Sequence, residues 1–192
     1  PPPEHATAMA IVCAEGVAVL GASHLSSAHW ACQRLGLLGR DARMGALEEM
    51  LEGQRLPFSV SVGLLDGVGT MEDVLREVPF RHERLKTRDG AQVLERRETC
   101  WMAEEGIGGF AYSGKIMEPV PFTKTVGKIR DALYEATNVR YDCALLNHYP
   151  DASCACKWHT DPDHGSKWAL DAAIVSLGDT RRFSMRHRQL RR

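Results

Sequence analysis

Residues 145–149 and 159–161 decide the fold, and they read Leu145-Leu146-Asn147-His148-Tyr149 and His159-Thr160-Asp161. Successive side chains of a β-strand point to opposite faces, so residues two apart share a face. His159 and Asp161 can therefore direct an imidazole nitrogen and a carboxylate oxygen at one metal ion. The same alternation places Asn147 and Tyr149 together on one face of the preceding strand and His148 on the opposite face. We expect Asn147 and Tyr149 to serve as hydrogen-bonding groups beside the metal.

An imidazole and a carboxylate are two of the three ligands of a 2-His-1-carboxylate facial triad, which leaves coordination positions open for a co-substrate and O2. The polar stretch Pro162-Asp163-His164-Gly165 follows directly. Metal sites often lie at strand ends beside loops, because the strands hold the ligands while the loops admit substrate. An H-x-D pair alone is a weak signal, since such pairs also arise by chance.

The composition indicates one domain, because 192 residues with 44% apolar content can bury a real core. We expect residues 1–8 to be a disordered lead, residues 9–98 to be an N-terminal helical support with the start of a lid region, and residues 99–192 to be a strand-rich core. Helices first and strands later are typical of an α+β domain or a helix-buttressed β-barrel.

Local patterns predict the elements within these segments. A short strand is expected at 16–20, and helices at 26–35, 43–53 and 70–77, the last with Thr70 as its N-cap. Asp89-Gly90 predicts a hairpin turn. An amphipathic helix is expected over 121–137, with Val126, Ile129, Leu133 and Tyr134 on its apolar side. Strands at 140–149, 155–159, 172–178 and 181–188 would form an antiparallel set.

Positive charge is concentrated at the end of the chain, where the last twelve residues carry six arginines and no acid. On a strand, Arg182 and Arg186 share one face, which suits phosphate groups of a polyanion. Two alternatives stay open: a solvated tail, and a strand face paired with acidic residues elsewhere.

The six cysteines are dispersed, which indicates reduced thiols and an intracellular protein, in the nucleus or the cytoplasm. No apolar run approaches the length that spans a bilayer. Cys154 and Cys156, together with His159 and His164, are an alternative zinc site. The C-x-C spacing is tighter than usual for zinc, and this alternative leaves Asp161 and Asn147 unexplained.

Residues 99–187 resemble the AlkB-like Fe(II)/2-oxoglutarate-dependent dioxygenases. The resemblance rests on an ordered set of short stretches that covers nearly half of the chain. They are Tyr112-Ser113-Gly114, Ile129-Arg130-Asp131, Leu146-Asn147-His148-Tyr149, His159-Thr160-Asp161, Ser176-Leu177-Gly178, Arg182-Phe183 and Arg186.

The resemblance implies a double-stranded β-helix (jelly-roll) core, incomplete at its C-terminal end, with Fe(II) at its mouth and 2-oxoglutarate and O2 as co-substrates. His159 and Asp161 would be the first two iron ligands, and Asn147 and Tyr149 would contact 2-oxoglutarate. Tyr112 would lie near the target base. Each has a plainer alternative: Asn147 pairs an edge strand, Tyr149 is core, and Tyr112 packs a hairpin.

The chain departs from the family at the third iron ligand, a His some tens of residues after the H-x-D. His164 is too close to Asp161 to return on a separate strand, and His187 matches a strand that carries no metal in the family. We therefore expect the third ligand to be absent from these 192 residues, so that iron is held weakly and the chain as it stands is inactive.

The expected function is oxidative demethylation of alkylated nucleobases in DNA or RNA by a monomer without a membrane partner. The N-methyl group would leave as formaldehyde, and Tyr112 would stack on the extruded base. Two alternatives remain: a non-catalytic nucleic-acid-binding module with a dioxygenase-like barrel, and a protein hydroxylase or demethylase.

Overall fold

The computed structural model describes residues 8–14, 61, 63–87, 89–112, 115–156, 159, 172–179 and 181. The chain divides into two compact units, one formed by Pro1–Ala18 with Gly67–Arg192 and the other by Val19–Asp66. In the described part of the second unit, the Asp66 amide donates to the Gly63 carbonyl at 3.0 Å and closes a turn. The helices expected at 26–35 and 43–53 lie outside the described residues.

The described part of the first unit contains two helices and seven strands. The strands are β1 (Ala8–Ala14), β2 (Arg81–Lys86), β3 (Gln92–Ala103), β4 (Phe110–Tyr112), β5 (Lys115–Met117), β6 (Cys143–Tyr149) and β7 (Ala173–Gly178), and the helices are α1 (Met71–Glu77) and α2 (Lys124–Thr137). This is a mixed α/β fold made mostly of strands. Neither helix has the length and apolar content to cross a membrane.

Five strands form one sheet in the order β2-β3-β6-β1-β7, and β4 pairs with β5 separately. β3 is antiparallel to β2 and β6, whereas β1 is parallel to both β6 and β7. The prediction of an antiparallel set is therefore wrong for 172–178. The strand β7 pairs with β1 rather than with β6, and it runs parallel to β1. Local periodicity could not reveal this, since it reports the type of each strand and not its neighbours.

The position of β1 corrects the predictions for the start of the chain. The sequence indicated a disordered lead to residue 8 and a strand at 16–20, but the strand begins at Ala8, and 16–20 lie outside the described residues. The run over 8–14 is apolar without alternation, which suits a strand with neighbours on both sides. Residues 9–98 therefore contribute strands to the main sheet in addition to helical support.

Two further strands were expected after β6. Residues 155, 156 and 159 are not in a strand, so the predicted strand at 155–159 is wrong for its described positions. The polar turn at 151–153 continues into an irregular segment there. Of the strand expected at 181–188 only Arg181 is described, and it is not in a strand.

The hairpin between β2 and β3 is confirmed. The Thr87 amide donates to the Ala91 carbonyl at 2.9 Å, and the Gly90 amide donates to the Thr87 carbonyl at 3.0 Å. Gly90 has φ of +87°, a conformation that a residue with a side chain rarely adopts. The Asp-Gly signal thus located the turn correctly.

Helix α1 begins where the sequence predicted. Thr70 caps it: the Asp73 amide donates to the Thr70 hydroxyl oxygen at 3.1 Å, and the Thr70 amide donates to the Asp73 carboxylate at 3.2 Å. This reciprocal pair satisfies two amides that the first helical turn leaves without partners. Asp73 also accepts from Arg76 at 2.5 Å.

Helix α2 buries a stripe formed by Val126, Ile129 and Leu133. Tyr134, which was expected on the same side, is 50% exposed. It follows Leu133 and is therefore turned about 100° further round the helix, beyond the buried stripe. The two helices are joined by Glu77, whose carboxylate accepts from the amide and the hydroxyl of Thr125, both at 2.8 Å.

Candidate active site

Side chains alternate along β6, so Asn147 and Tyr149 lie on one face of the sheet and His148 lies on the other, as expected. Asn147 lies opposite Thr99 of β3, and His148 lies opposite Glu98. Cross-strand partners share a face, so Asn147 and Thr99 point to one side of the sheet and His148 points to the other. We call the side of Asn147 the site face and the other side the packing face.

The packing face is closed. Ala144 and Leu146 of β6 are fully buried, and their β1 neighbours Met9 and Ile11 are buried beside them. His148 contacts Glu98 through Nδ1 and Oε2 at 2.6 Å, and its ring lies 5.6 Å from that of Phe80, just after α1. The polar group on this face is thus paired, and the face serves the core.

One end of the site face is apolar. Trp101, Ala103, Met117 and Cys143 form a buried cluster, and the ring of Phe110 stacks on Trp101 at 4.9 Å. Burial raises the pKa of the Cys143 thiol to about 12, so the thiol stays protonated and packs as a small apolar group. This end of the face holds the sheet against the β4–β5 hairpin.

The other end of the site face is polar and incompletely satisfied. Asn147 is 6% exposed and Thr99 is 1% exposed. The Asn147 Oδ1 and the Thr99 Oγ1 are buried, and neither has a hydrogen-bond partner in the described structure. A buried polar atom without a partner costs about 1–3 kcal/mol, which a polar ligand on this face would offset.

Tyr149, the last residue of β6, extends this polar end to the edge of the site face, which we call the rim. It is buried, and its phenol oxygen accepts from the Arg97 Nη1 at 3.4 Å. Desolvation by burial raises the pKa of Tyr149, with the Arg97 hydrogen bond acting in the opposite direction. The phenol therefore keeps its proton and can donate it in a hydrogen bond to a carboxylate.

Arg97 is the most buried charge of the site, with 7% exposure. Its Nε lies 2.6 Å from the Glu95 Oε1, and the Lys115 amine lies 3.3 Å from the Glu95 Oε2. Burial lowers the pKa of Lys115, against the opposing effect of Glu95. Glu95 thus pairs with both buried cations, and Glu83 lies 4.0 Å from the Lys115 amine as a further carboxylate.

A chain of contacts links Tyr149 to the predicted iron ligand His159. The same Arg97 Nη1 that reaches Tyr149 also donates to the Cys156 Sγ at 3.4 Å. The Cys156 sulfur lies 3.6 Å from the His159 Nδ1. The imidazole and the phenol, ten residues apart in sequence, are therefore held by one arginine and one thiol at the same rim.

Arg181 holds the turn that follows β6. Its guanidinium donates to the carbonyls of Asp151 and Cys154, and it lies over the Tyr149 ring with 5.0 Å to the centroid. A guanidinium on an aromatic face is attracted electrostatically. The segment after β7 thereby fixes the position of Tyr149.

A surface groove of about 540 Å³ opens beside this network. Leu94, Glu95 and Arg96 of β3 form one wall, and Pro150, Asp151 and Cys154 of the turn form another. The groove lies next to the rim on which Tyr149 and Arg97 meet.

Several predicted residues cannot be placed. Asp161, Arg182 and Arg186 lie outside the described residues. Tyr112 ends β4 opposite Lys115, and only its backbone is described. Of the two predicted iron ligands, His159 is described by the structure, and it is exposed.

The alternative zinc site finds no support in the described cysteines. Cys154 is buried, and its sulfur faces the Asp151 carboxylate at 3.7 Å, whereas the Cys156 sulfur faces His159. Among the described residues, no three His, Cys, Asp or Glu side chains are grouped to hold a metal. His164 lies outside them.

Sequence reasoning missed Arg97 and Thr99, and it considered Cys156 only as a ligand of the alternative zinc site. A usable signal existed for the first two, because they share the parity of Trp101 and therefore point to its side of β3. Residues 95–98 are all charged, so the alternation of buried and exposed side chains is not visible in the sequence there. Cys156 lies in an irregular segment, where no periodicity predicts the direction of a side chain.

Comparison with known proteins assigns the family. The family model for the 2OG-Fe(II) oxygenase superfamily matches residues 68–192. "Uncharacterized protein R406" of Acanthamoeba polyphaga mimivirus is 36% identical over 111 residues, which are 58% of this chain and 57% of that protein.

Two relatives carry names that describe an activity. "DNA oxidative demethylase ALKBH2" of Arabidopsis thaliana is 30% identical over 139 residues, 70% of this chain and 41% of that protein. "Alpha-ketoglutarate-dependent dioxygenase alkB homolog 3" of Mus musculus is 27% identical over 126 residues, 65% of this chain and 43% of that protein. The chain spans about half the length of the curated relatives it matches. It belongs to the 2OG-Fe(II) oxygenase superfamily, as an AlkB-like member.

Proposed function

We infer that the protein is an Fe(II)- and 2-oxoglutarate-dependent dioxygenase that removes alkyl groups from nucleobases in DNA or RNA. The observation that carries this inference is the polar end of the site face, where buried, unsatisfied groups of Asn147 and Thr99 lie on the side of Tyr149. The family and the printed names of the relatives agree with it.

The polar end of the site face fits the co-substrate that the family implies, because two buried oxygens there have no partner in the described structure. His159 and Asp161 would hold Fe(II) as two ligands of a facial triad. Bound iron would supply the activation of O2 and the oxidation of the methyl carbon. Because iron and 2-oxoglutarate bring a cation and a dianion together, a polar and sheltered strand end suits them better than an apolar one.

The residues of the chain would position the co-substrate. Thr99 and Asn147 offer a hydroxyl and an amide, and the protonated Tyr149 phenol offers a hydrogen bond to a carboxylate. Arg97 donates to the Tyr149 phenol oxygen and would hold the phenol in position beside them. These groups would fix the keto acid in one orientation before O2 arrives.

The fold we propose is a double-stranded β-helix in which the five-stranded sheet is one wall. Its packing face carries the core, and its site face would look towards a second sheet. Tyr112 would stack on an extruded base, and Arg182 and Arg186 would contact phosphates. A monomer in the nucleus or cytoplasm, where nucleic acid is available, accords with this function.

Formaldehyde release from methylated oligonucleotides tests the proposal. The full-length protein should release formaldehyde with iron and 2-oxoglutarate, and His159→Ala should abolish it. His148→Gln is the matched control, because it removes an imidazole from the packing face and should keep activity in the folded protein. Equal inertness of wild type and His159→Ala would defeat the proposal.

The outcome also separates the alternatives. Oligonucleotide binding without formaldehyde release would favour a non-catalytic nucleic-acid-binding module. Consumption of 2-oxoglutarate with a methylated or unmodified protein, and not with oligonucleotides, would favour a protein hydroxylase or demethylase.

A further inference from the structure

The imidazole of His159 is held by a sulfur atom. The Cys156 Sγ lies 3.6 Å from the His159 Nδ1, within the distance of a sulfur hydrogen bond. Both residues are exposed, so neither is confined by core packing. The contact gives the Nδ1 side of the imidazole a defined hydrogen-bonding neighbour.

Cys156 is itself held from the opposite side. The Arg97 Nη1 lies 3.4 Å from the sulfur, and guanidinium can only donate, so the sulfur accepts this hydrogen bond. Arg97 is buried and bound to Glu95, which makes it a rigid donor. The sulfur thus stands between an immobile cation and the imidazole.

We propose that Cys156 is a positioning residue for His159: its sulfur accepts the Nδ1–H of the imidazole and thereby presents Nε2 to the metal. A histidine that binds metal through one ring nitrogen commonly donates the other N–H to an acceptor, which selects the tautomer and the ring orientation. This inference rests on the proposed function for the identity of the metal, and on the described contacts for the tautomer.

The arrangement also couples the two halves of the site. Arg97 contacts the Tyr149 phenol and the Cys156 sulfur through the same nitrogen. A displacement of Tyr149 would therefore be transmitted to His159 through Arg97 and Cys156. Loss of the thiol removes this connection while leaving Tyr149 and Arg97 in contact.

Long-range ¹H–¹⁵N correlation spectra of the metal-free full-length protein test the tautomer. In its neutral form, His159 should carry its proton on Nδ1. Cys156→Ala should shift the proton towards Nε2, because the sulfur acceptor at Nδ1 is lost. Cys156→Ser should restore the Nδ1–H form, because the hydroxyl oxygen also accepts.

Mn²⁺ affinity, read from the signal of unbound Mn²⁺ in electron paramagnetic resonance, supplies a second readout without turnover. Cys156→Ala should weaken Mn²⁺ binding about tenfold or more, and Cys156→Ser should recover most of it. Cys100→Ala is the matched control, since that thiol is buried on the packing face opposite Leu146, and it should leave both readouts unchanged.

Three results would overturn the inference: an Nε2–H tautomer in the wild type, a Cys156→Ala variant with unchanged tautomer and Mn²⁺ affinity, or equal effects from Cys100→Ala. Absence of formaldehyde release, with the expected tautomer and affinity, would count against the proposed function and leave this inference standing.

Discussion

The two faces of β6 differ in how completely their polar groups are satisfied. On the packing face, Leu146 is fully buried among apolar neighbours and His148 is paired with Glu98. On the site face, Asn147 and Thr99 are nearly as deeply buried, yet each retains an unpartnered oxygen in the described structure. Burial alone therefore does not distinguish core from site. Among the described residues of β3 and β6, the unpartnered buried oxygens both lie on the site face.

The largest effect should come from the packing face. Leu146→Ala leaves a cavity in a closed region, so the free energy of unfolding should fall by about 2–5 kcal/mol. The KM for 2-oxoglutarate of the folded fraction should stay unchanged. Chemical denaturation and steady-state kinetics on the full-length protein measure both. A raised KM with unchanged stability would contradict the division into two faces.

The opposite pattern is expected for Asn147→Leu. The substitution replaces a buried amide with an apolar side chain that has the same number of heavy atoms and the same branching. The thermal stability of the protein without co-substrate should therefore be kept or raised. Co-substrate affinity should fall by about 10- to 100-fold, because a hydrogen bond to a charged group contributes about 1.5–3 kcal/mol. Calorimetric titration with 2-oxoglutarate checks this, and a destabilised variant with normal affinity would refute it.

A smaller effect is expected for Thr99→Val, which replaces an unpartnered hydroxyl with a methyl group. Stability should not fall, since no hydrogen bond of the described structure is lost. Affinity for 2-oxoglutarate should weaken by about 2- to 10-fold, which corresponds to about 0.5–1.5 kcal/mol. Thr125→Val is the contrasting variant, because that hydroxyl is bonded to Glu77, and it should lower stability without changing affinity.

The smallest effect concerns the helices and pH. The Thr125 amide, and then its hydroxyl, lower the pKa of Glu77 in the folded protein. A carboxyl of this kind stabilises the fold above its ordinary pKa, and the contribution is lost as pH falls through the lowered value. The unfolding free energy should therefore decline on acidification below about pH 5, and Glu77→Gln should decline less steeply. If the unfolding free energies of wild type and Glu77→Gln declined equally with pH, Glu77 would make no contribution to the acid sensitivity of the fold.

Local chemistry predicted the elements better than their arrangement. The Thr70 cap, the Asp89-Gly90 turn and the paired directions of Asn147 and Tyr149 each depend on residues close in sequence, and the structure has them as expected. The neighbours of β1 depend on segments at opposite ends of the chain, which no local pattern specifies. The contact of Cys156 with His159 depends on an irregular backbone. Local sequence therefore predicted the shared face of Asn147 and Tyr149, and it missed Arg97 and Thr99 on the neighbouring strand.

The central place of β1 bears on how the chain folds. Ile11, near the beginning, pairs with Leu146 on one side and Val175 on the other, across most of the polypeptide. During synthesis this apolar strand leaves the ribosome long before either partner exists. Contacts of such high sequence separation slow folding, and an unpaired apolar strand is prone to aggregation meanwhile. Until residues 143–178 have been synthesised, the apolar β1 strand is therefore open to pairing with other chains.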